Sequence, residues 1–185
     1  AANGQEPGDI KVQDVDGNGV ITTDDRIIYS QRPDVTFGFN NTFNYKGFDL
    51  SVFLYARLGQ WIAYDYNTTY RINALENGGN VDYWTPENPT NAFPRPNKSK
   101  SYTQVTYYST LKYEDGSFFK IRDITLGYTF KPELLKHLNL SRLRVYATAK
   151  NFFTFSKIDN YDPEQGGSIS FPMTKQLVFG LNVEF

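Results

Sequence analysis

The stretch Lys175-Gln-Leu-Val-Phe-Gly-Leu-Asn-Val-Glu-Phe185 decides how the chain is read. Leu177, Phe179, Leu181, Val183 and Phe185 fall on one face and Gln176, Gly180, Asn182 and Glu184 on the other, the period of two that marks a strand. Soluble domains tend to fray at their termini. Outer-membrane barrels instead alternate apolar-out and polar-in along strands of about 10 residues, and every strand must pair to close the ring. A half-buried sandwich strand alternates in the same way, so the reading depends on repetition.

The pattern recurs. Val35, Phe37, Phe39, Phe43 and Tyr45 alternate with Thr36, Gly38, Asn40, Thr42 and Asn44, broken only at Asn41. After Lys46-Gly47, a tight-turn signal, Phe48, Leu50, Val52, Leu54, Ala56 and Leu58 alternate with Asp49, Ser51, Phe53, Tyr55 and Arg57. Further on, Ile124, Leu126, Tyr128 and Phe130 oppose Asp123, Thr125, Gly127 and Thr129. Leu143, Val145, Ala147 and Ala149 then oppose Arg142, Arg144, Tyr146, Thr148 and Lys150. The expectation is an all-β fold of about five antiparallel strands, fewer than the roughly 8 of the smallest membrane barrels, and so a piece of a larger transmembrane β-barrel or a soluble β domain.

Composition agrees. Aromatics make up 17 % of the chain, with 14 Tyr and 15 Phe, and no run approaches the roughly 18 apolar residues of a membrane helix. The net charge of −1 offers no basic surface for nucleic acid. With no cysteine, disulfide and thiolate chemistry are excluded. The opening AANGQEPGDI lacks the charged start and apolar core of a secretory signal, so an exported precursor would carry one upstream.

Turn lengths give a side. If Phe185 marks the periplasmic side, the short connections at Lys46-Gly47 and at Lys131 to Asn139 fall there too, while the long ones, 64–117 and 156–174, fall outside, the asymmetry of bacterial barrels. Phe43, Tyr45, Phe48, Tyr128, Phe130 and Phe185 gather at the same predicted ends, as an interfacial aromatic girdle would. Residues 1–32 then read as an external loop segment and residues 33–185 as the strands with their loops.

That first segment contains Asp14-Val-Asp16-Gly-Asn18-Gly19-Val20-Ile21-Thr22-Thr-Asp-Asp25, which fits an EF-hand-like calcium loop. Asp14, Asp16 and Asn18 would offer side-chain oxygens, Val20 its carbonyl, and Asp25 the closing carboxylate, with Gly19 at the sharp turn. Such hard oxygen donors suit calcium rather than zinc. Position 12 is Asp where Glu is usual, and its shorter stem weakens two-oxygen coordination. The plain alternative is an Asp/Gly/Asn-rich turn without an ion.

At these residues the chain resembles a family. PGDIKVQDVDGNGVITTDDR from Pro7, YKGFDLSVFLYARLG from Tyr45, DYWTPENPTNAFPR from Asp82, FFKIRDITLGYTF from Phe118, LRVYATAKNFFTF from Leu143, YDPE from Tyr161 and FPMTKQLVFGLNVEF at the end are similar, in order, to the C-terminal part of SusC-like TonB-dependent transporters, outer-membrane nutrient importers of Bacteroidetes. The resemblance spans nearly the whole chain. It implies a barrel of about 22 strands with a plug in the lumen, importing glycan or peptide oligomers with a SusD-like surface lipoprotein as lid. It further implies that TonB drives transport through an N-terminal box and plug that are not among these residues. The strands would then face the lipid bilayer.

Catalysis fits poorly. His137, the lone histidine, lies in the short segment KPELLKHLN, where a solvated turn residue is the simpler reading than a triad member. Asp82, Glu87, Glu114, Asp115, Asp162 and Glu164 could form a glycosidase pair only across a cleft, and in loops rich in Pro, Asn and Gly the expectation is solvated charge. Tyr83, Trp84 and Phe93, stiffened by Pro86, Pro89, Pro94 and Pro96, form an aromatic loop. Packing on a barrel rim is the first expectation for these rings, contact with the lipoprotein the second and ligand contact the third. Trp61 divides between a girdle ring and a ligand platform. The competing reading is a secreted calcium-binding, dockerin-like module, which demands a second calcium loop and helices after each, neither of which the sequence contains.

Overall fold

The computed structural model describes residues 6–65, 82–95 and 109–185; within the predicted loop 64–117, residues 66–81 and 96–108 lie outside the described residues. In chain order the elements are β1 (Val35–Tyr45), β2 (Phe48–Leu58), β3 (Trp61–Ala63), α1 (Ser109–Lys112), β4 (Tyr113–Asp115), β5 (Phe118–Thr129), α2 (Pro132–Leu135), β6 (Arg142–Ser156) and β7 (Gln176–Glu184). Short 3-10 turns span Thr23–Asp25, Lys136–Leu138 and Pro163–Gln165. Among the described residues no helix is long and apolar enough to cross a membrane, which says nothing of strands.

Two compact units emerge. One comprises residues 32–60, 116–165 and 171–185, the other residues 1–31, 61–115 and 166–170. The initial segment therefore groups with the first long connection rather than standing alone.

The first unit is one antiparallel sheet in the order β1-β2-β5-β6-β7, the all-β wall that the alternation predicts. Lys46 and Gly47 join β1 to β2 with φ of 48° and 89°, both in the left-handed region that a two-residue hairpin turn needs to match strand twist. At Gly47 a side chain would also meet the Thr129 carbonyl, which lies 2.8 Å from where its Cβ would be.

Cross-strand partners point to the same face, and their register makes the two faces unlike. On one face lie Phe39, Leu54 and Ile121 at one height; Asn41, Val52, Ile124, Ala149 and Leu177 at the next; and Tyr45, Phe48, Tyr128, Val145 and Leu181 near the hairpin turn. Asn41 is the one polar residue that β1 and β2 place there. Far from being buried, this apolar face is open: Phe179 is 77 % and Leu181 68 % exposed. The opposite face carries Asn40, Ser51, Asp49, Thr125, Thr148, Lys150 and Asn182. A shallow apolar groove of about 510 Å³ on the apolar side is lined by Phe48, Leu126, Tyr128, Ala147, Phe179 and Leu181 among others.

β5 and β6 are longer than their legible alternation. Arg122 interrupts the pairing of β5 with both neighbours, and opposite it β6 inserts Asn151 and Phe152, with Asn151 at φ 58°. The one extra residue in β5 shifts its period by one, so Phe119 and Ile121 continue the apolar face although they are out of step with Ile124, whereas the two extra residues in β6 leave Phe153 in step with Ala149. The rings at the hairpin end do cluster: Phe48 and Tyr128 centroids are 4.6 Å apart, and Tyr128 meets Phe130 edge-on at 5.0 Å. Below them, α2 and the following 3-10 turn bury Leu135 within the Lys131 to Asn139 connection and leave His137 exposed.

The second unit has a smaller frame. β3 pairs antiparallel with β4, Ile62 and Tyr64 are buried, and Tyr29 lies between Trp61 at 4.5 Å and Tyr113 at 5.4 Å.

Candidate functional site

The predicted calcium loop is built from carboxylates that hold their own backbone. Asp14 accepts the amides of Gly17 and Gly19, both at 2.7 Å. Asp16 accepts from the Asn18 amide at 3.0 Å and from its Nδ2 at 2.8 Å, and Asn18 Oδ1 accepts the Val20 amide at 2.7 Å. Asp25, brought back by the 3-10 turn that Thr22 caps, accepts the Val15 and Thr22 amides, each at 2.7 Å. Gly17 and Gly19, at φ 74° and 84°, make the reversals between them.

The result is convergence. Oxygens of Asp14, Asp16 and Asp25 lie within 4.8 Å of one another. The Thr22 amide, then that of Val15, holds the Asp25 carboxyl below its ordinary value, so it stays ionised. Three converging carboxylates are oxygen donors that could hold a hard divalent cation, while the Asn18 amide oxygen is taken up by the Val20 amide. No helix follows: the described residues run from the 3-10 turn to β1, unlike a dockerin-like module.

The aromatic loop divides its rings. Trp84 packs against Gly8: a Cβ there would fall 2.4 Å from its ring, and φ of 88° also favours glycine. The Arg95 amide donates to the Gly8 carbonyl at 2.9 Å, and its guanidinium pairs with Asp9, at 2.9 Å, and with Glu6. The Glu6 carboxylate, foremost, raises the affinity of Arg95 for its proton. Asp82 accepts from the Thr90 hydroxyl at 2.7 Å and the Asn88 amide at 2.8 Å, which lower its pKa. Phe93 bridges to Tyr83 through the backbone and is half-buried, while Tyr83 is exposed. Trp84 is thus a packing residue, and Trp61 packs on Tyr29 within the same unit.

On the polar face of the sheet, sequence reading missed a lattice of side chains. Arg144 of β6 reaches across β5 to Asp49 of β2, Nε to Oδ1 at 2.9 Å and Nη2 to Oδ2 at 2.5 Å. It passes over Gly127, where a Cβ would lie 2.5 Å from both partners. Tyr146, stacked with the same guanidinium at 5.0 Å, lies over Gly180, which likewise has no room for a side chain. Glycine in a strand interior was the available signal, but strand order was needed to say what approached it. The expectation of solvated loop charge fails for Asp162 and Glu164: both are largely buried against Lys120, because the segment after β6 folds back onto the sheet.

Known proteins agree with this architecture. The chain is 31 % identical over 203 residues to TonB-dependent receptor P3 of Formosa agariphila, covering 97 % of this chain and 19 % of that protein. It is 31 % identical over 181 residues to TonB-dependent receptor SusC of Bacteroides thetaiotaomicron, covering 93 % of this chain and 17 % of that one. The solved RagAB peptide importer in its closed-closed state superposes with a TM-score of 0.68 at 26 % identity, over 96 % of this chain and 21 % of the other. No protein-family model matches. The fold and these likenesses define a wall segment of the TonB-dependent receptor class, a class of the outer membrane. Within that class its likeness is to SusC and to the RagAB importer. The chain spans about a fifth of the length of the curated relatives it matches.

Proposed function

We propose that the chain is part of the barrel wall of an outer-membrane importer of nutrient oligomers. The observation that carries the reading is the two-faced sheet: an open apolar face for the lipid bilayer and a polar, ion-paired face for the aqueous lumen. A sheet open on its apolar side has no reason to remain so in water, and β1 and β7 both present free edges that need partner strands in lipid. The remaining barrel and plug of the same transporter supply those partners, and TonB acts through that part. A SusD-like lipoprotein covers the outer mouth, and exposed Tyr83 is the ring of the aromatic loop best presented to it. The RagAB relatives are peptide importers, which favours peptide over glycan as cargo.

Calcium is the loop's cofactor in this reading. Asp14, Asp16, Asn18, Asp25 and the carbonyl of Val20 hold one ion, which ties a loop without a core of its own. Its role is structural and requires no chemistry of the ion.

The test uses the full-length transporter in cells. Single cysteines at Thr125 and Leu126, adjacent on β5 and on opposite faces, are treated with a water-soluble maleimide. Labelling at Thr125 and protection at Leu126, together with recovery of a surface lipoprotein and of oligomer uptake, is expected. Labelling of Leu126 and not Thr125 overturns the orientation, and unimpaired uptake without the chain overturns the import role.

A further inference from the structure

The segment that follows β6 carries a cluster that the import reading leaves unused. Lys120 sits on the polar face of β5, paired with Tyr55 on β2 and Thr154 on β6. Its side chain is 0 % exposed, and Nζ donates to Asp162 at 2.7 Å and to Glu164 at 2.8 Å. Those carboxylates are only 12 % and 11 % exposed. Arg122 adds a contact to the second oxygen of Glu164 at 3.1 Å, and Asp162 Oδ1 accepts the Glu164 amide at 3.0 Å. Between the two acids Pro163 is fully buried, and upstream Ile158 is buried as well.

An ammonium removed from water has to be satisfied by the protein. Lys120 has three donors; two go to carboxylates, and the ammonium also lies 5.6 Å from the centre of the Phe118 ring. The acids depend on the lysine just as strongly, because either one left unpaired at that depth is costly. Two cations face two carboxylates, so the cluster is neutral as a unit and has no electrostatic reason to open. Its position is equally telling: Lys120 lies at the end of the sheet remote from the Lys46-Gly47 turn, on the face opposite the open apolar one.

We infer that Lys120 is a positioning residue that straps residues 158–165 onto the polar face, making them a fixed part of the lumen lining near the outer mouth instead of a loop standing outside the wall. The strap rests on the import reading for its surroundings, that the polar face lines the lumen and that this end of the sheet lies outward. Cargo entering at that height meets the strap.

Hydrogen exchange on the full-length transporter in detergent micelles tests it. Lys120→Met leaves the largely buried Asp162 without its cation and Glu164 with Arg122 alone, so exchange in residues 158–165 rises by at least about tenfold while β7 amides keep wild-type rates. The triple variant Lys120→Met, Asp162→Asn, Glu164→Gln, in which the one charge left, that of Arg122, is 40 % exposed and reaches water, regains most of the protection. Asp162→Asn, which leaves Lys120 paired with Glu164, gives a smaller rise and serves if Lys120→Met does not assemble. Wild-type exchange of the strap in both single variants overturns the inference, as does equal acceleration in β7. Labelling at Leu126→Cys in place of Thr125→Cys would instead sink the lumen assignment and leave the strap standing.

Discussion

Strand β6 and the carboxylate loop at residues 14–25 are both rich in polar residues, yet they are held together in opposite ways. In β6 the backbone bonds to two neighbouring strands, and polar side chains at every second position lie over the surface so formed. In the loop, side-chain carboxylates accept the backbone amides that have no ladder to join. The wall is therefore sensitive to edges, faces and close approaches and tolerant of lost charge on its polar side. The loop is sensitive to single oxygens.

Removing residues 176–185 is the severest way to break this contrast. It strips β6 of its outer partner and leaves its backbone groups unpaired in lipid at several kcal/mol each, so surface abundance and uptake should both vanish. A transporter that inserts normally without β7 would show that the sheet is not wall.

Arginine at Val145 or Leu181, on the apolar face, should cost about 2–4 kcal/mol at mid-membrane height, and much less at Asn40 or Thr125 on the other face. Unfolding in lipid measures both, and equal costs would reject the two-faced assignment. Leu50, Val52, Leu54, Leu143, Leu177 and Phe179 share the apolar face and should follow the first pair.

Gly127→Val sharpens the comparison within the wall. The new side chain would displace the Arg144–Asp49 bridge, since its Cβ falls 2.5 Å from both groups, and should destabilise by about 1–3 kcal/mol. Adding Asp49→Asn should recover little, because the obstruction is steric; full recovery would mean that charge mattered more than space.

In the loop, Asp14→Asn with Asp16→Asn should abolish calcium binding measured by calorimetry, with unfolding of the wall unchanged. A joint loss would show that the loop supports the strands. Smallest is a pH effect on the aromatic loop. Asp82 has a lowered native pKa, so its bonds to Thr90 and Asn88 contribute fully above the ordinary carboxyl value of 3.8 and are lost as pH falls below that through the native value. Trp84 fluorescence should hold steady from neutral pH down to about 4 and change only below. A transition near neutral pH would assign the loop's order to another group.

Much of this was legible in the chain because local repetition carries it. A period of two sorts Leu177, Phe179 and Leu181 from Gln176, Gly180 and Asn182 without knowledge of any neighbour, and Asp14, Asp16, Asn18 and Asp25 announce an oxygen cluster by spacing alone. Lys46-Gly47 reads as a turn because few residue pairs accept two positive φ values. Strand order, register and the folding back of chain are properties of distant pairs, and no local pattern encodes them. That Arg144 needs Gly127 in order to reach Asp49, that the bulge at Arg122 returns Phe119 and Ile121 to the apolar face, and that Asp162 and Glu164 bury a lysine instead of meeting water were decided only when β2, β5 and β6 lay side by side. An ion's cost depends on whether water can reach it, and whether water can reach it is set by residues remote in sequence.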